Sequence, residues 1–268
     1  MYGTTRQPVI DVGGKVTGYS LVRDRKTHYG RALVTIPKGH KVGSEGGSPF
    51  LPGEASPLVL HEVDQAEDVA AFLDIAKRYL PPVTGPDNGY VLVFIHGFNN
   101  RFEDVAVRAA RLGADLGVPP NDMFMFSWAS MHSVGHYPVD EATVDVSETS
   151  LKDLLAKVVT AARGRAVHVI AHSMGNRAML REVTLEHIES VVSTLPDALP
   201  SHAYFAETLP LLTDIKNLIL RDTPARPPTD WTHLGTYWRV GKPVEYLNPL
   251  NLACKPDTKY AIPTGNSR

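Results

Sequence analysis

Ser173 closes the apolar, β-branched run AVHVIAH and is followed at once by MGNRAML, a helix-forming stretch, within residues 166–180. A serine hydroxyl is a weak nucleophile. It gains reactivity when a tight strand-to-helix turn exposes Oγ to a histidine while the next backbone N–H faces the reacting oxygen. Small residues two before and two after the serine make that turn sterically possible, and here they are Ala171 and Gly175. Alanine in place of the usual glycine adds one methyl where backbones crowd, which is tolerable if its dihedrals stay ordinary.

A second segment strengthens the first. VLVFIHGFNNRFEDV, residues 91–105, is a buried-strand run ending in His96-Gly97-Phe98 and passing straight into a helical pattern. A loop of this form after an early central strand supplies the second N–H of an oxyanion hole, the donor pair that stabilises a tetrahedral acyl intermediate. The expected donors are the N–H groups of Phe98 and Met174. Either motif alone is compatible with an ordinary turn; the two in this order, each between a strand and a helix, point to an α/β-hydrolase fold.

The elements that must position these residues follow from periodicity. Residues 1–63 read as a β-rich extension packed on the core, with strands at 16–22, 31–37 and 57–63 separated by the turn chemistry of Gly13-Gly14, Gly30 and KGHKVGSEGGSP. A helix is expected over 66–80, stopped by Pro81-Pro82. Next come a strand at 90–96, a helix near 101–117 opened by Asn100 with Glu103 as its capping box, and a strand at 122–128. After a loop follow a helix at 150–163, a strand at 166–171 and a strand at 188–192. This alternation predicts a mostly parallel sheet with helices on both faces over a hydrolase core at 64–221, its loops gathered at the strands' C-terminal ends, where His96, Trp128 and Ser173 fall. Residues 222–268, rich in proline and aromatics, are expected to be an irregular tail.

Composition narrows the function classes. With 268 residues and 43% hydrophobic content the chain can bury one large core. A net charge of −2 without a basic run gives no nucleic-acid footprint. Cys254 is the only cysteine, so no intrachain disulfide or thiol-ligated metal cluster can form, which is compatible with a reducing cytoplasm. No apolar run approaches the roughly 18 residues of a membrane span, and MYGTTRQPVIDVGGK has no secretory pattern, so a cytoplasmic location is expected. His132, His136 and Asp140, spaced by four, would share a helix face as metal ligands, but Gly135 and Pro138 argue against a regular helix there. No metal or organic cofactor is expected, and the expected partner is a small acyl substrate.

The segments MYGTTRQ, YGRALVTIPKGHKVG, VLVFIHGFNNRFEDVAVRAARLGADLG, FSWAS, VHVIAHSMGNR and SHAYFAE resemble the bacterial α/β-hydrolases of unknown function typed by the DUF900 domain, which are esterase/lipase-like. The resemblance implies the hydrolase fold and hydrolysis of esters or related acyl compounds. It also matches Tyr137 and Asp140 to a tyrosine and an acidic residue in the loop after the FSW strand, and His202 in PSHAYFAET to the general base. His187 reads as decorating a helix end, and the side chain of His172 is expected to point away from Ser173 Oγ.

Only 29 residues separate Ser173 from His202, room for one helix and one strand, whereas a full hydrolase places two more strand–helix units there. The usual location of the triad acid is therefore missing, and without an acid the imidazole loses orientation, at a cost of about 10⁴ in a serine protease. Asp197 and Asp140 are candidate substitutes and Asp222 a third, so the acid stays unassigned. Two functions remain: a carboxylesterase-like serine hydrolase, or an inert hydrolase-fold binding module.

Overall fold

The computed structural model describes residues 1–40, 42, 58–80 and 89–182, with further strands at 190–194, 231–233 and 238–240. The chain divides into two compact units, Met1–Arg221 and Asp222–Arg268. In the first unit the strands are β1 (Tyr2–Ile10), β2 (Val16–Thr35), β3 (Val59–Gln65), β4 (Tyr90–Ile95), β5 (Met123–Ser127), β6 (Ala166–His172) and β7 (Ser190–Thr194). Its helices are α1 (Val69–Tyr79), α2 (Phe102–Leu116), α3 (Tyr137–Asp145), α4 (Glu148–Ala162) and α5 (Gly175–Glu182). The strands form one mixed sheet in the order β3-β2-β1-β5-β4-β6-β7. Pairings from β1 through β7 are parallel, and β2 is antiparallel to both of its neighbours. This is an α/β-hydrolase fold.

The central strands are continuous apolar runs because both of their faces are covered. Alternation along β4 sends Val91, Val93 and Ile95 into a cluster with Leu151, Leu154, Leu155 and Val158 of α4. It sends Leu92 and Phe94 into a second cluster with Phe102, Val105, Ala109, Leu112 and Leu116 of α2. From β4 the chain passes through α2 to β5 on one side, then through α4 to β6 on the other. The crevice outside the carboxyl ends of β4 and β6 is therefore a topological switch point, where open α/β sheets bind ligands.

Four differences from the sequence expectation have physical reasons. The segments at 16–22 and 31–37 are parts of a single strand, β2, and Gly30 is no turn: a Cβ there would lie 2.1 Å from Asp64 O and 2.6 Å from Tyr2 Oη, so glycine serves a close approach. The N-terminal strands extend the main sheet, with Tyr2, Gly3 and Thr4 of β1 paired to Met125, Phe126 and Ser127 of β5. The expected loop before α4 contains α3, because Gly135 precedes that helix and Pro138 falls in its first turn, where its missing N–H costs nothing. α2 is capped one residue later than expected: Asp104 Oδ2 accepts from Arg101 N at 2.8 Å, and neither Asn100 nor Glu103 forms the cap.

In the second unit, β8 (Trp231–His233) and β9 (Trp238–Val240) pair antiparallel, which corrects the irregular reading for those residues. Strands of three residues are too short to reveal period-two alternation. Among the described residues no helix is long and apolar enough to cross a membrane.

Candidate active site

Ser173 sits between β6 and α5 with φ of +51°, in the left-handed region that a non-glycine residue occupies at the expense of strain. It is only partly buried, flanked by buried His172 and Met174. Its carbonyl accepts from Asn176 N at 3.1 Å and Asn176 Nδ2 at 2.9 Å, which closes the turn into α5. A Cβ at Gly175 would lie 2.5 Å from His96 O, so the end of β4 presses against the turn and only glycine fits. Ala171 pairs with Ile95 and Ser193 as a strand residue without positive φ, so the extra methyl is accommodated.

The loop after β4 meets this turn directly. A Cβ at Gly97 would stand 2.8 Å from Ser173 Cβ and 2.9 Å from His172 O. Buried His172 lies beside the same glycine, its Cδ2 3.1 Å from that position. Among the described residues, the N–H groups of Phe98 and Met174 make no hydrogen bond to another backbone carbonyl. Tyr137, at the start of α3, packs on Phe98 with ring centroids 5.1 Å apart. Arg177 of α5 grips Asp145 through Nε and Nη2 at 3.2 Å each and also bonds Glu141, tying the helix after Ser173 to α3.

His96 is fully buried and stacked on Trp128, with ring centroids 4.8 Å apart and planes 6° from parallel. Trp128 Nε1 donates to His96 O at 2.9 Å. Burial, reinforced by the nearby Arg6 charge, holds the His96 pKa well below its ordinary 6.5, so the ring is neutral and donates one proton. Nδ1 lies 2.7 Å from Gly97 O and Nε2 3.1 Å from Trp128 O; we assign the proton to Nδ1, the shorter contact.

Behind this loop lies a residue that sequence reasoning passed over. Arg6 of β1 is fully buried and donates to Ser127 Oγ at 3.0 Å, Ser130 O at 3.2 Å, Ser20 O at 3.4 Å and Asn100 O at 2.7 Å. Burial pushes its pKa down to about 10 against the opposing pull of Glu103, Asp140 and Asp104, so it keeps its charge at neutral pH. No local signal marks it, because every one of these partners lies at least 14 residues away in the chain.

Asp140, a candidate triad acid, is fully buried; its Oδ2 accepts from Ser130 Oγ at 2.5 Å and its Oδ1 from Met131 N at 2.8 Å. These bonds tie the loop after β5 to α3. His132, with φ of +49°, His136, in a 3₁₀ turn, and Asp140, in α3, do not share a helix face. The expected base His202, the other candidate acids Asp197 and Asp222, and His187 lie outside the described residues.

Residues 82–213 match the family model described as alpha/beta hydrolase of unknown function (DUF900). No curated protein and no solved structure matches the chain.

Proposed function

We propose that this member of the α/β-hydrolase family DUF900, to which the chain belongs through residues 82–213, is a serine hydrolase acting on carboxylic esters or related acyl compounds. Ser173 Oγ attacks the acyl carbonyl carbon while His202 accepts its proton. The N–H groups of Phe98 and Met174 hold the oxyanion, a role in which each donor is worth about 10²–10³ in rate. The intermediate expels its alcohol with the proton from the histidine, leaving an acyl-serine. Water deprotonated by the same histidine then releases the carboxylic acid and restores the serine.

The observation that supports this reading is the positive φ of Ser173, partly buried at a strand-to-helix turn, with the Gly97 backbone packed against it, the form of turn that a serine nucleophile requires. A fluorophosphonate probe tests it. Labelling of wild type that is lost in both Ser173→Ala and His202→Ala supports the enzyme, and folded wild type that resists labelling rejects it. Chain lengths in a panel of p-nitrophenyl esters then define the acyl group.

A second reading, an inert hydrolase-fold binding module, is favoured by one observation. Asp140, the described candidate acid, spends its carboxylate on Ser130 and Met131.

A further inference from the structure

The Gly97–Phe98 peptide is the piece of backbone whose orientation decides whether the proposed oxyanion donor faces a substrate. A trans peptide is planar, so its C=O and N–H point in opposite directions. Gly97 O accepts from Asn100 Nδ2 at 3.2 Å and lies 2.7 Å from His96 Nδ1, both groups belonging to buried side chains. The Phe98 N–H of the same peptide must therefore point away from that buried side. The second proton of Asn100 Nδ2 goes to Phe98 O at 2.7 Å, so this one amide grips the carbonyls on both sides of the N–H.

Asn100 is itself held on every polar backbone group. Its N–H donates to Ser130 Oγ at 3.2 Å, and that hydroxyl donates onward to Asp140. Its C=O accepts from Arg6 Nη2 at 2.7 Å. The side chain is not spent on the helix it precedes, because Asp104 performs the capping of α2. An amide that leaves the adjacent cap to another residue and puts both donors on two successive carbonyls is placed to orient backbone.

We propose that Asn100 is the positioning residue of the oxyanion loop: it locks the Gly97–Phe98 peptide with the Phe98 N–H outward, and Arg6 and Ser130 fix Asn100 in turn. The catalytic consequence rests on the reading of Phe98 as an oxyanion donor; the orientation of the peptide does not. An aspartate at 100 keeps the shape but loses both donors and sets a carboxylate against two carbonyl oxygens, which favours rotation of the peptide.

The test compares wild type, Asn100→Asp and Ser130→Ala in p-nitrophenyl acetate hydrolysis and in the amide NMR signal of Phe98 after ¹⁵N-phenylalanine labelling, with thermal melting to confirm folding. For Asn100→Asp the expected result is kcat lower by about 30- to 100-fold with KM within about twofold, since the interaction is made in the transition state. The Phe98 amide signal is expected to shift well beyond those of Phe94 and Phe124. Ser130→Ala, which loosens only one grip, is expected to lower kcat about fivefold, and it carries the same readouts if the aspartate variant does not fold. A rise in KM alone, or an unmoved Phe98 amide in folded variants, overturns the proposal. If wild type shows neither turnover nor fluorophosphonate labelling, the esterase reading fails on its own account. The Phe98 amide then still decides: a displaced signal upholds the orienting role of Asn100, and an unmoved one removes it.

Discussion

After β6 the chain turns on backbone geometry, with Ser173 at φ of +51° and no side chain at Gly175 to obstruct His96 O, whereas after β4 it turns on buried side chains, with His96, Asn100 and Arg6 each holding a backbone carbonyl and Ser130 Oγ accepting from Asn100 N–H. The two turns touch where Gly97 meets Ser173. One depends on atoms that are absent and is written within five residues, 171–175. The other depends on hydrogen bonds that span up to 124 residues of chain. A turn of the first kind breaks when an atom is added, and a turn of the second kind breaks when one is removed.

Removal at the β4 side is expected to give the largest effect. Arg6→Met takes the donors from Asn100 O and Ser130 O and leaves them buried, at a cost of about 4 kcal/mol by analogy with broken buried charge networks. Urea unfolding measures it, and a loss below about 1 kcal/mol would mean that the loop does not lean on β1. Addition at the β6 side comes next. Gly175→Ala forces a methyl against His96 O, with an expected loss of about 2 kcal/mol and serine labelling slowed by roughly 100-fold. If labelling of Gly175→Ala matches wild type, the turn has slack and the contrast between the two sides disappears.

The same contrast shows how much could be read from the sequence. The Ser173 turn was legible because its requirements are local: a β-branched strand, small neighbours and a helix start. The fold was legible from strands that alternate with helices. The β4 loop was legible as a motif but not as a structure, since Asn100 looks like a helix cap by residue type and turns out to serve Gly97 and Phe98. Arg6 in β1 carries no mark that distinguishes it from an ordinary strand arginine, because its partners come from β2, β5 and the loops after β4 and β5. Gly30 and Pro138 misled for one reason: both were read as breakers, while the strand pairing and the helix start gave each a compatible place.

Acid should separate the two turns as well. The His96 pKa is depressed in the fold relative to its ordinary 6.5, so the unfolded chain takes up a proton that the folded ring refuses. The stability that His96 contributes is complete above about pH 6.5 and is lost as pH falls below it. Melting temperature measured from about pH 8 down to pH 5 should therefore drop more steeply for wild type than for His96→Gln, and parallel curves would place the acid sensitivity elsewhere. The smallest effect is expected at the departure from the usual elbow pattern. Ala171→Gly should cost about 0.5–1 kcal/mol as a strand glycine and leave the labelling rate within about twofold. A large gain in rate would mean that the methyl does constrain the serine.

The most direct measurement is mass spectrometry of the protein after exposure to a fluorophosphonate, with the modified peptide sequenced. The account predicts a single adduct on Ser173, formed by folded wild type and absent from Ser173→Ala. Folded protein with an unmodified Ser173, or an adduct on another residue, would contradict it.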